Sequence, residues 1–126
     1  MDIASLKKLL LLSWCAETAY GKWHPRCPSL NQCAVTSLIV QDYFGGQLLR
    51  RKMTNRSLHF LNRLPGGIEI DLSEDQLRFI KAKPILYETI VRTRSSLLRH
   101  IGVKKRYLLL KAKVEANAKI ILIPAN

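Results

Sequence analysis

The chain has 126 residues, 21 Lys and Arg against 9 Asp and Glu, a formal charge of +12, and 48% hydrophobic residues. That length and balance suit one globular domain with its own core, and no internal repeat or low-complexity segment interrupts it. Three cysteines, Cys15, Cys27 and Cys33, are too few and too odd for a disulfide framework and fit reduced thiols in a cytosol, so a cytoplasmic location is expected.

Residues 3–18 read as a helix with Ile3, Leu6, Leu10 and Trp14 on one stripe. Lys7-Lys8 before Leu9 to Leu12 imitates a signal peptide, but the apolar run is too short and Glu17 follows closely. Nothing approaches the length of a membrane span. Residues 19–28 form a loop with Gly21, Pro25 and Pro28. Ser29 and Gln32 fit a capping box for a helix that runs to Tyr43 or Phe44 and stops at Gly45-Gly46. Gln47–Met53, Leu58–Leu64 and Ile68–Leu72 read as strands, joined by turns at Thr54-Asn55-Arg56 and Pro65-Gly66-Gly67. Ser73 is placed to cap a short helix over Glu74 to Phe79.

Two helical stretches are predicted after Pro84, near 85–101 and 103–118, broken at Gly102. Val103, Tyr107, Leu110 and Val114 make the apolar stripe of the second, with Lys104, Lys105, Lys111 and Lys113 largely off it. Ile120 to Ile123 is a short β-branched run that ends as a strand in this reading. Charge is uneven. Residues 81–119 hold eleven basic and two acidic side chains, against ten and seven in residues 1–80. The C-terminal excess suits an acidic partner, an anionic surface or a solvated face.

Three polar residues stand out. Both arms of the second hairpin bury one face if Leu58 meets Leu72 and Phe60 meets Ile70, which sets His59 directly opposite Asp71 on the other face. Asn62 falls on Phe60's side by parity, so Asp71 is the preferred partner that orients the imidazole. Cys33 lies in the first turn of its predicted helix, where the positive end of the backbone dipole favours a thiolate and free N–H groups can serve an oxyanion. Cysteine, histidine and aspartate in that arrangement are a nucleophile, its base and the base's orienter. Cys27 and Cys33 are six apart with only His24 nearby, which is no zinc spacing, and no metal or cofactor is expected.

The stretch Asn31-Gln32-Cys33-Ala34-Val35 resembles the Gly-Gln-Cys-x-Val segment around the nucleophile of transglutaminase-like proteins, within the wider papain-like group. His59-Phe60-Leu61-Asn62 resembles their His-x-Trp-Asn segment, and Ile70-Asp71-Leu72-Ser73 their Leu-Asp-Pro-Thr stretch. Trp23 through Gly46 and His59 through Gln76 resemble the small bacterial YunG-type family more closely. Asn31 departs from the usual glycine and Leu61 from the usual aromatic, the His-to-Asp interval is short, and no calcium-binding carboxylate cluster is present. The resemblance implies Cys33 as nucleophile, His59 as base and Asp71 as orienter, with Gln32, Trp23 and Asn62 as supporting or oxyanion residues.

The sequence therefore predicts one α+β domain over 1–126, a minimal papain-like or transglutaminase-like core. A central helix from Cys33 packs on a small antiparallel sheet, with flanking helices from both termini and a basic helical part over 84–119. The expected function is a thiol-dependent hydrolase or acyltransferase acting on an amide or ester of a peptide, protein or small molecule. The alternatives are a catalytically silent fold used for protein interaction and a basic nucleic-acid-binding module. The second lacks helix-turn-helix, RNA-recognition or zinc-finger signatures and has few aromatics to stack on bases.

Overall fold

The computed structural model describes residues 1–121. Helix α1 spans Ile3–Ser13, capped by Asp2, whose carboxylate accepts from Ser5 N at 2.7 Å. It ends five residues before the predicted boundary. Ser13 Oγ turns back to donate to Leu9 O, and Trp14 leaves helical geometry at ψ 135°. Ala16–Thr18 is a separate 3-10 turn, held by Thr18 Oγ1 against the Cys15 backbone. Cys15 therefore lies between the two, not within the first helix.

Helix α2, Cys33–Phe44, starts at the cysteine itself. The predicted capping box at Ser29 does not form, because Asn31 sits at φ 58° and a left-handed residue cannot continue a helix. Ser29 to Gln32 is instead a turn, with Gln32 N donating to Ser29 O at 3.1 Å. Gly45 and Gly46 end α2 as expected. Gly46 has φ 82°, and a Cβ there would lie 2.2 Å from Arg63 O, so only glycine lets the chain pass this close to the next hairpin.

Strands β1 (Gln47–Met53), β2 (Leu58–Arg63), β3 (Glu69–Ile70) and β4 (Pro84–Arg92) form one antiparallel sheet in the order β3-β2-β1-β4. The third strand is shorter than predicted, and its register differs. Asn62 pairs with Ile70 and Arg63 with Glu69, a shift of two residues from the expected Phe60–Ile70 pairing. The turn holds Pro65, Gly66 and Gly67, closed by Leu64 N to Ile68 O at 2.8 Å. A shift of two preserves which face each side chain occupies. His59 and Asp71 thus keep a common face but are diagonal, not directly opposed. Leu58, expected in the apolar face, is 47% exposed.

Residues 84–92 are the main correction. They form an edge strand, not a helix, along β1 through Leu48–Arg92, Leu49–Val91, Arg50–Ile90 and Arg51–Thr89. Ile85, Tyr87, Thr89, Ile90 and Val91 suit a pleated edge, and Pro84 stands at the first position, where a missing N–H does least harm. Only the remainder of the basic part is helical.

Asp75–Phe79 is a short helix, α3, one residue later than predicted, and Ser73 is not its N-cap. Helix α4, Arg94–Leu98, is capped by Thr93, and α5 runs Ile101–Ile121. The break falls at Arg99 and His100, and Gly102 lies inside α5. The predicted stripe is confirmed. Tyr107, Leu110 and Val114 are buried and Val103 packs against them. Ile120 and Ile121 end α5 as helix, while residues 122 and 123 of the predicted terminal strand lie outside the described residues.

The result is a single α+β domain. Helix α2 packs on β2 and against α5, and α5 packs on α1. The core combines Leu6, Leu9 and Leu10 with Leu38 and Ile39 and with Leu110. At the C-terminal end of α2, Asp42 accepts from Tyr107 Oη (2.5 Å) and pairs with Arg94 Nη2 (2.7 Å). The other terminal nitrogen of Arg94 donates to Leu38 O and Gln41 Oε1. This cluster fastens α2 to the C-terminal helices.

Candidate functional site

The N-terminal end of α2 is built differently. A cleft of about 590 Å³ opens beside it, lined in part by Cys33 and Ala34 from α2, His59 and Phe60 from β2, and Val103 and Arg106 from α5. Cys33 is half-buried and His59 is 4% exposed. The left-handed Asn31 swings the chain into α2 so that the cysteine occupies its first turn. Asparagine tolerates that conformation better than other side chains except glycine, which explains its presence where the resembling motif carries glycine.

His59 Nε2 lies 2.5 Å from Asp71 Oδ2. That contact occupies Nε2 and leaves Nδ1 as the nitrogen available to a thiol. Burial pushes the imidazole toward its neutral form. The hydrogen bond to Asp71 and the neighbouring Cys33 side chain outweigh burial and raise its pKa to about 10. His59 is then an imidazolium at neutral pH, held by a carboxylate and lining the same cleft as the Cys33 side chain.

A chain of polar contacts fixes Asp71. Its Oδ1 accepts from Ser73 N at 3.1 Å and from Ser73 Oγ at 3.2 Å. Gln76 Nε2 donates to Ser73 Oγ at 3.2 Å, and Gln76 Oε1 accepts from Asn31 N at 3.0 Å. Gln76 is 3% exposed. It joins the loop that orients His59 to the turn that presents Cys33. Lys7 Nζ adds a tether from α1, donating to Leu72 O and to Asp75 Oδ2.

The predicted supporting residues are placed elsewhere. Gln32 Nε2 donates to Cys15 O at 2.9 Å, and its Oε1 is buried without a partner. Trp23 Nε1 donates to Pro28 O at 2.9 Å. Asn62 Nδ2 donates to Ser37 O at 2.9 Å and pins β2 to α2. None of the three lines the cleft, because each donor satisfies a nearby backbone carbonyl. Cys33, His59 and Asp71 are brought to one place; Gln32, Trp23 and Asn62 hold its surroundings.

Two residues at the cleft were not singled out by the sequence. Gln76 follows Ser73 by three positions, a spacing that gives no sign of its link to Asn31. Arg106 was one charge among eleven. Its distance of three from Val103, on a helix whose apolar stripe is legible, is the signal that could have placed it beside the cleft. Among the described residues no group of three or more His, Cys, Asp or Glu side chains is arranged to hold a metal ion. Nor is any described helix long and apolar enough to cross a membrane.

Comparison with known proteins identifies a family for the chain. A family model described as YunG protein matches residues 2–119. The YunG protein of Bacillus subtilis (strain 168) is 35% identical over 89 residues, which cover 71% of each chain. No solved structure matches significantly. A match across nearly the whole domain, taking in the cysteine turn, the histidine strand and the aspartate loop together, places this chain in the YunG family.

Proposed function

We propose that the protein is a thiol-dependent hydrolase or acyltransferase on a reduced papain-like or transglutaminase-like core, with Cys33 as nucleophile, His59 as acid and base, and Asp71 as its orienter. The observation that carries this reading is the buried His59 imidazole, held by Asp71 on one nitrogen, at the wall of an open cleft that Cys33 also lines. A general base must lie within reach of the proton it moves and be held in one orientation.

In the proposed reaction the Cys33 thiolate attacks the carbonyl carbon of an amide or ester. A C–S bond forms, the carbonyl electrons move to oxygen, and free N–H groups in the first turn of α2 supply donors to that oxyanion. On collapse the C–N or C–O bond breaks. His59 gives its proton to the departing amine or alcohol and becomes neutral. Water or a second amine then attacks the thioester, His59 takes up its proton, and the acyl group leaves the sulfur.

Labelling with a thiol-reactive amide probe near pH 6 tests this in the wild type, Cys33→Ala and His59→Ala. An ordinary thiol, with a pKa of about 8.5, reacts slowly there. Selective modification of Cys33 that falls in His59→Ala supports the reading. Equal, slow labelling of Cys15, Cys27 and Cys33 overturns it. The second reading, a silent fold used for interaction, draws on Gln32 and Trp23, whose side-chain donors are engaged away from the cleft. It predicts that slow outcome.

A further inference from the structure

The cleft is charged in one sense only. Among the described residues no Asp or Glu lines it, while Arg106 and His59 do, and much of the remaining wall is apolar, with Leu77, Ile80 and Val103. Arg106 reaches it from α5 in a fixed pose. Its Nε donates to Gly102 O at 3.0 Å, and its guanidinium carbon lies 5.3 Å from the centre of the Tyr20 ring. Neither terminal nitrogen donates to a protein acceptor, and no carboxylate lies within ion-pair distance, among the described residues. The contrast is with Arg94, whose two terminal nitrogens are both engaged.

A half-buried guanidinium with its planar fork unengaged is matched to a ligand carboxylate, which can accept two parallel N–H bonds. A single fork in an apolar cleft suits a monoanion with a hydrocarbon portion better than a hydrated dianion such as phosphate. We propose that Arg106 binds a carboxylate on the cleft's ligand, so that the amide or ester processed at Cys33 is one carrying an acidic group, with its apolar portion along Leu77, Ile80 and Val103. This rests on the reading of Cys33 as nucleophile for its chemistry, but the anion site is defined independently of it. Burial lowers the pKa of Arg106, which agrees with a cation partly withdrawn from water in the cleft.

Two reagents of nearly equal size separate substrate binding from simple support of the thiolate. Iodoacetate and iodoacetamide both alkylate the sulfur, a C–S bond forming as the C–I bond breaks and iodide leaves, but only the first carries a carboxylate. The ratio of their rates at Cys33 is compared with the same ratio for free glutathione. The wild type is expected to favour iodoacetate by about tenfold relative to Arg106→Gln, the loss of a charged hydrogen bond. Arg106→Lys, which keeps the charge without the fork, is expected to fall between. Equal losses with both reagents overturn the proposal, because Arg106 then acts on the sulfur alone. A second arm does not need a reactive thiol. Titration calorimetry of Cys33→Ser with hexanoate, hexanamide and inorganic phosphate is expected to show hexanoate bound most tightly, and about tenfold more weakly once Arg106→Gln is added. Hexanoate binding through Arg106 with an inert Cys33 removes the proposed chemistry and supports the anion site. Hexanoate binding no better than hexanamide, or weaker than phosphate, overturns the anion site even where Cys33 labels selectively.

Discussion

The two ends of α2 carry polar constellations of the same kind, each with a carboxylate held against a cationic side chain. At the C-terminal end, Asp42, Arg94 and Tyr107 satisfy one another and the backbone around them. Burial and the hydrogen bond to Asp42 push the Tyr107 phenol up to about 12, so it stays a neutral donor over the useful pH range. At the N-terminal end, Asp71 and His59 are paired just as closely, but His59 lines a cleft together with Cys33 and an unengaged guanidinium. A saturated cluster fastens helices. An unsaturated one has capacity left for something outside the chain. The difference lies in which donors remain free.

Substitutions at each end should therefore separate reactivity from stability. The largest effect is expected from His59→Ala. Without the imidazolium, Cys33 alkylation at pH 6 should slow by on the order of a hundredfold, the thiolate deficit of an ordinary thiol there; rate measurements with iodoacetamide and mass mapping of the site check it. Asp42→Ala is expected to act in the opposite sense, lowering unfolding free energy by about 2 kcal/mol in urea titrations while Cys33 labelling persists, because Arg94 and Tyr107 lose a common partner. If Asp42→Ala also abolishes labelling, the two ends are coupled and the contrast fails.

The third expectation concerns pH. His59 has a folded pKa of about 10 against 6.5 for a free imidazole. Between these values the folded chain holds a proton that the unfolded chain has released. Its contribution to stability is complete below about pH 6.5, declines as pH rises, and is gone above about pH 10. A thermal-denaturation series across that interval should show a downward slope that flattens in His59→Gln; no change of slope refutes the assignment. Cys33→Ser should move the His59 titration downward, seen by NMR of the imidazole carbon protons. The smallest effect is expected from Gln76→Leu. Losing the bridge between Asn31 and Ser73 should slow Cys33 labelling about fivefold, the worth of one neutral hydrogen bond, with the pH profile broadened because His59 is less firmly oriented. An unchanged profile would reduce Gln76 to packing.

Much of this was legible before any coordinates. Apolar periodicity located α2 and the α5 stripe, and alternation in the β2–β3 hairpin put His59 and Asp71 on one face. That inference survived a register error because the slip was of two residues, and only an odd slip changes faces. What failed depended on partners distant in sequence. Residues 84–92 carry an apolar content that either element can use, and it is the free edge of β1 that makes them a strand. The cap at Ser29 obeyed local rules but ignored Asn31, whose left-handed backbone is held by Gln76 from forty-five residues away and by its own side chain bonded to Lys22 O. Gln32 and Trp23 had the right chemistry for oxyanion donors, yet nearer carbonyls claimed them.

Helix α5 presents Tyr107, Leu110 and Val114 to the core and Arg106, one residue before Tyr107, to the cleft. Hydrophobic interior and cleft wall are thus consecutive positions on one rod. Trimming this basic region as if it were a dispensable tail would strip α1 and α2 of their neighbour and dismantle the cleft in the same cut. Grafting the Cys33 and His59 segments onto another scaffold would likewise leave behind the Arg106 side of the cleft.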